Sequence, residues 1–255
     1  MHTRTLSDIL QDTANLMQKR LVGFLITAVI GTVPNGLVAL AIGALVGSQT
    51  ALLTAGAGRS DTPTEEQMAA LLSLLPLAPV FVLVGCVAAV VVGLTHLALV
   101  QATAQAVEHD RLDPAEAWKT ALSRAITAWA AGLLVGVAVI LMAITIIGIP
   151  FAFYFGVRWS FLSQAVVLDG AGPRAALSRS SDLVHGQWWR VLGISLVIGL
   201  ITGIASTVLG ALNVIPVLGA IAASTLAAPL SPIAQTLLYY DLRARKDGTP
   251  APNPQ

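Results

Sequence analysis

Six stretches of this chain run almost without charge for roughly 18 residues or more, the length at which a segment reads as a transmembrane helix. They are Leu21–Val46, Leu71–Val107, Ala125–Ile149, Phe151–Leu168, Val191–Leu212 and Val217–Tyr240. The fourth is the shortest and contains a charge, Arg158. In hydrocarbon no water is available to satisfy backbone N–H and C=O groups, so such stretches cross as helices that satisfy themselves. Composition points the same way. The chain is 56% hydrophobic and 11% charged, whereas soluble domains carry about 25% charged residues. The expected class is an all-α polytopic membrane protein, with residues 1–248 forming one six-helix transmembrane domain and 249–255 a short disordered tail.

A net charge of +1 provides no basic field for nucleic acid. The single cysteine, Cys86, lies inside an apolar run and allows neither an internal disulfide nor a cysteine-based metal site. The first twenty residues are polar or amphipathic, and the apolar run after Arg20 is too long for a signal peptide. The N-terminal segment therefore reads as retained.

Orientation follows from where Lys and Arg sit beside the spans, because basic residues collect on the cytoplasmic side. Arg4, Lys19, Arg20, Arg111, Lys119, Arg124, Arg174, Arg179, Arg190, Arg243, Arg245 and Lys246, twelve of the 14 basic residues, fall on one side of a six-span arrangement. The other side has Arg59, offset by Asp61, Glu65 and Glu66. Both termini are expected in the cytoplasm.

The three cytoplasmic segments share a grammar. "TLSDILQDTANLMQKR" starts with Thr5 and Asp8 at capping-box spacing. "DPAEAWKTALSR" starts with Asp113 as cap, Pro114 at the first helical position and Glu116 three residues after the cap. "GPRAALSRSSDLVHGQWW" places Gly172 and Pro173 correspondingly. Outer turns end at Pro150 and Pro216, and a polar loop of about Gly47–Ala70 replaces the first of them. Even-numbered spans close on an acid: Glu108 or Asp110, Asp169 and Asp241. The pattern predicts three hairpins, in repeat units of about 5–110, 111–170 and 171–246, each led by a cytoplasmic interfacial amphipathic helix.

The boundary is sharpest at "HGQWWRVLGI". There Trp188 and Trp189 suit headgroup depth, and Arg190 is expected to bury its stem and reach lipid phosphate. Trp118 and Arg179 belong to the same expected membrane interface.

Val157–Ile194 and Thr236–Gly248 carry a further signal. Arg158-Trp159, Asp169, Ala176-Leu177, Arg179-Ser180, Leu183, Gly186, Trp189-Arg190 and Tyr240-Asp241-Leu242-Arg243, with "RTLSDIL" near the start, resemble a known membrane-domain family. That family is fused to some bacterial glycerophosphodiester phosphodiesterases and also occurs as free-standing six-span proteins of unknown function. Ser181 and His185 depart from the family's usual Trp and Lys or Arg. The spans use up the 255 residues, so the resemblance implies a membrane module in a bacterial plasma membrane and transfers no hydrolase activity.

Four residues are candidates for binding. Arg158 and the adjacent Trp159 lie about eight residues into the fourth run, ~12 Å along a helix, where a charge usually faces a bundle interior, a cavity or a partner. The alternatives are a phosphate or carboxylate contact, an outward-snorkelling side chain, or a tie to broken backbone at Pro34-Asn35-Gly36. Asn35 stands at that interruption, which reads as a tolerated kink or as a broken, ion-holding helix. His96 is either a proton relay or a hydrogen-bonding partner between helices. Ser178, Ser181, Asp182 and His185 share one short polar helix face with no oxyanion hole, so they read as solvated surface. Gly43–Gly47, Gly132–Gly136 and Gly199–Gly203 have the spacing that allows close helix approach.

No phosphate-loop, zincin or dinucleotide motif is present, and neither enzyme activity nor a cofactor nor a metal is expected. The expected function is a non-enzymatic membrane module binding lipid, through anionic headgroups at the cytoplasmic face, or a protein partner. The alternative is a transporter or permease-like component for a small or lipidic anion.

Overall fold

The structure is a computed structural model that describes residues 5–55, 65, 68–69, 72, 75–145, 148–211 and 216–248. Its elements are α1 (Leu6–Lys19), α2 (Leu21–Ala55), a 3-10 turn (Leu75–Leu77), α3 (Ala78–Glu108), α4 (Pro114–Ala143), α5 (Gly148–Arg158), α6 (Leu162–Leu168), α7 (Pro173–Val184), α8 (Trp188–Ala211), α9 (Pro216–Ala227) and α10 (Leu230–Asp247). Among the described residues all regular structure is helical, and six stretches are long and apolar enough to cross a membrane. The expected tail at 249–255, the bulk of the polar loop and the turn at 212–215 lie outside the described residues.

Local chemistry explains the helix starts. The Thr5 hydroxyl accepts from the Asp8 N–H while the Asp8 carboxylate accepts from the Thr5 N–H, so two orphan donors of α1 are satisfied reciprocally. Asp113 accepts from the Ala115 and Glu116 N–H groups and Pro114 opens α4. The Glu116 side chain pairs with Arg111 at 3.0 Å rather than turning back to the cap.

Three expectations change. The polar loop was expected from Gly47, but α2 continues to Ala55 and passes through Pro34 without a break. The second amphipathic segment is no separate interfacial helix: residues from Pro114 onward continue into the span as one 30-residue α4, because nothing after its cap interrupts the hydrogen-bond ladder. The fourth and sixth spans, in contrast, are each broken in two. The fourth breaks at Trp159–Phe161 between α5 and α6, and the sixth at Ala228-Pro229 between α9 and α10. Pro229 lacks an N–H and disfavours helical backbone in the residue before it.

α2 packs on α3 and α9, α4 on α3, α5 and α6, and α8 on α9 and α10. A large buried cluster gathers along α10, where Ile233, Leu237, Leu238, Tyr239 and Leu242 are buried together with Phe24, Leu99, Phe161 and Val191. α1 and α7 dock here too. Ile9, Thr13 and Leu16 recur at helical spacing and are buried, and α7 buries Ala176, Leu183 and Val184. Their apolar stripes therefore face protein. The outside of the bundle remains apolar: Ile126 is 85% exposed, Leu133 69% and Val82 67%. In water such a surface would drive aggregation; in a bilayer it is the lipid-facing belt.

The expected Gly-x-x-x-Gly seams are not close contacts. Among the described residues, a Cβ added at Gly43, Gly47, Gly132, Gly136, Gly199 or Gly203 would meet nothing within 4 Å. Close approach to a neighbouring helix occurs at two other glycines of α2, while Gly23 packs on the loop residue Leu112. A Cβ at Gly31 would fall 1.7 Å from Thr95 Oγ1, and one at Gly36 would fall 2.4 Å from Ile221 Cγ1. These contacts draw α3 and α9 onto α2.

Candidate functional site

Just beyond that close-packed line the same helices part. A cavity of about 840 Å³ opens between α2, α3, α9 and the start of α10, with Asn35, Gly43, Thr95, His96, Ser224 and Pro232 among its lining residues. Its depth follows from the chain. Asn35 lies fifteen residues beyond Arg20 and His96 twelve before Glu108, so at 1.5 Å per residue both stand roughly 20 Å from the polar end of the bundle. Counted from the headgroups, that is near the middle of a bilayer ~40–45 Å thick.

The lining is neutral. Thr95 donates to Val91 O at 2.7 Å and Ser224 to Ile221 O at 2.9 Å, so both hydroxyls are spent on their own helices. Thr32 donates to Ala28 O and meets Thr225 at 2.6 Å. The Asn35 amide and the His96 imidazole hydrogen-bond no residue among those described. Two of the four sequence candidates thus converge on one cavity, across two helices that spacing alone does not bring together.

Arg158 and Trp159 lie elsewhere. Arg158 ends α5, and the Ser180 hydroxyl of α7 donates to its carbonyl at 2.9 Å while accepting from the Phe161 N–H at 3.2 Å. The Trp159 indole donates to Ser181 Oγ at 3.1 Å. Arg158 therefore sits beside the amphipathic α7, not twelve ångströms into an unbroken span, and it does not line the cavity that Asn35 and Gly36 line. The guanidinium forms no ion pair among the described residues, and its Nε is buried without a hydrogen-bond partner.

The seam itself is aromatic. Trp188 stacks on Tyr154 at 5.6 Å and donates its indole N–H to the Tyr154 carbonyl. Phe153 and Trp189 meet Trp188 edge-on, at 6.1 and 4.7 Å, and Trp189 is 79% exposed. Trp118 turns inward, donating to Thr27 O at 3.1 Å beside Leu97, Val100 and Ala121.

Arg190 does not point toward lipid. It pairs at 2.9 Å with Asp241, whose side chain is 3% exposed and which also meets Arg245 at 2.9 Å. A buried carboxylate one helix away outcompetes a headgroup because it is fixed and already desolvated. Arg179 likewise pairs with Asp169 at 3.3 Å and with Asp247, whose hydrogen bond raises the already high pKa of the guanidinium. Asp169 also accepts from Tyr239 at 2.6 Å and Arg243 at 3.1 Å, and Glu108 accepts from Tyr240 at 2.7 Å. Arg20 reaches Asp110 at 2.7 Å. The acids that close the even-numbered spans thus converge on the C-terminal half of α10 and the helices around it. Ser180, Asp169, Arg179, Arg190, Asp241 and Arg243 stand in the sequence among the positions that resemble the membrane-domain family, and an acid recurs at each even span end, but neither signal pairs them with one another.

Among the described residues no group of three or more His, Cys, Asp or Glu side chains is disposed to hold a metal. No curated protein and no solved structure matches the chain. The profile of the family described as "Domain of unknown function (DUF7847)" matches residues 5–239. That match spans nearly the whole chain, so this helical protein with six membrane-spanning candidates belongs to the DUF7847 family.

Proposed function

We propose that the protein is a non-enzymatic integral membrane module that holds a lipid or another apolar ligand in the cavity between α2, α3, α9 and α10. The cavity is the observation that carries this reading. Its volume, about 840 Å³, lies within the ~300–1,000 Å³ typical of ligand pockets, and its wall is apolar with a few neutral polar groups. An uncharged lining at mid-bilayer depth favours a ligand delivered through the hydrocarbon over an ion drawn from water. The lining does not include Arg158, which removes the main support for the anion-transporter alternative.

The distribution of Lys and Arg supports three hairpins with both termini on the cytoplasmic side. The resemblance of Val157–Ile194 to the membrane domain of bacterial glycerophosphodiester phosphodiesterases supports a plasma-membrane module without chemistry of its own. Anionic headgroups are weaker partners for the polar end than its basic count suggests, since Arg20, Arg179, Arg190, Arg243 and Arg245 are paired internally.

Native mass spectrometry of gently extracted protein tests the reading. Gly43 lines the cavity and has open space around its Cβ position, so Gly43→Phe, with Ala39→Trp as a second filling variant, should fold normally. The wild type should carry a bound apolar molecule that both variants lose. Equal retention by all three removes the cavity as the binding site.

A further inference from the structure

We propose that Arg158 is the phosphate contact of a second, separate site, which holds the headgroup of a membrane phospholipid against the aromatic seam. The inference starts from what the guanidinium does not do. A break in a membrane helix exposes backbone groups, and an arginine beside it would ordinarily be assigned to them. Here Ser180 takes both the Arg158 carbonyl and the Phe161 N–H, and Ser181 takes the Trp159 indole. α7 therefore closes the break without help from the Arg158 side chain.

Nor does the guanidinium serve the ion-pair network. Arg20, Arg179, Arg190, Arg243 and Arg245 each meet a carboxylate within 4.0 Å, whereas Arg158 meets none among the described residues and keeps a buried, unpartnered Nε. A desolvated donor is costly to leave unmade. A planar fork of donors with no carboxylate in reach matches a phosphate, which it can grip through two parallel hydrogen bonds.

The surroundings identify where that phosphate comes from. Tyr154 and Arg158 are four apart on α5 and share a face, and Tyr154 stacks on Trp188. Phe153 is 55% exposed and Trp189 79%. Rings that are apolar with one polar edge settle at headgroup depth, so a phosphate at Arg158 would have acyl chains running along these exposed rings. A free phosphate ion would make no use of them. This site does not depend on the cavity.

The test compares retention of phosphatidic acid and of diacylglycerol with the same chains, by native mass spectrometry of full-length protein. In Gly43→Phe, whose filled cavity no longer holds diacylglycerol, phosphatidic acid should be retained at least tenfold better than diacylglycerol, and adding Arg158→Gln should abolish that preference. Arg158→Lys in the same background keeps the charge but lacks the planar fork of guanidinium donors, so its preference should fall severalfold; this variant decides the matter if Arg158→Gln does not fold. Preference unchanged in Arg158→Lys and Arg158→Gln overturns the assignment. Displacement of phosphatidic acid by millimolar inorganic phosphate overturns the lipid as the source, because the rings would then contribute nothing.

Discussion

Replacing Asp241 with asparagine should reveal what holds the polar end together. The side chain is 3% exposed and accepts charge-assisted hydrogen bonds at 2.9 Å from Arg190 of α8 and Arg245 of its own helix. Asparagine keeps the shape and removes the charge, leaving two guanidinium groups side by side. Removing one partner of a buried ion pair costs about 3–5 kcal/mol. The arginine side chains are 26% and 24% exposed and partly rehydrate, so the low end applies, about 3 kcal/mol. For a chain of this size that corresponds to a fall of roughly 6–12 °C in melting temperature. Single changes on the other side should behave differently. In Arg190→Met or Arg245→Met the remaining arginine still compensates the carboxylate, and each should cost about 1–2 kcal/mol. The double variant removes both of these guanidinium partners from the carboxylate, and its loss should exceed the sum of the singles by about 1 kcal/mol or more. Thermal unfolding in detergent followed by circular dichroism measures all four. If Asp241→Asn melts within 2 °C of wild type, or the double variant is merely additive, the network does not hold the bundle. If Arg190→Met instead retains full stability and loses bound anionic lipid, Arg190 is the lipid contact expected from sequence.

Two further substitutions probe the helix contacts beside each site. Gly31→Ala places a methyl 2.9 Å from Thr95 Cβ and closer still to Thr95 Oγ1, so it should destabilise by about 1–3 kcal/mol in the same melting assay; Gly199→Ala, whose methyl meets nothing within 4 Å, should be silent. Ser180→Ala strips the break between α5 and α6 of a partner for the Arg158 carbonyl and the Phe161 N–H. It should cost about 2 kcal/mol and increase hydrogen exchange at Phe161, and unchanged exchange there would show that the serine does not close the break.

What was legible in the sequence was local. Span lengths depend on the run of apolar residues alone, and the Thr5–Asp8 and Asp113 caps depend on neighbours within three residues, so both could be read directly. The break after Arg158 could not. "FGVRWSFLSQ" contains no proline, and it stops being one helix because Ser180, twenty-two residues later, supplies the missing partners. Arg190 beside two tryptophans reads as a headgroup anchor until Asp241 is known to stand opposite it. The glycine spacings misled for a related reason: close approach is set by what faces a glycine, and only Gly31 and Gly36 face Thr95 and Ile221. Asn35 and His96 were each visible as polar groups in apolar runs, but their common cavity lies where α9, packed on α2, ends at Ala228-Pro229 and α10, packed on α3, begins.

The central claim is that the cavity holds an apolar ligand at mid-bilayer depth, and photo-crosslinking tests it most directly. Full-length protein in bilayers would be irradiated with an uncharged amphiphile carrying a diazirine midway along its chain, and the adducts mapped by peptide sequencing. Adducts on residues 31–43, 92–99 and 220–232, suppressed by Gly43→Phe, are the predicted result. Labelling confined to outward residues such as Ile126, Leu133 and Leu141, and insensitive to that substitution, would contradict it.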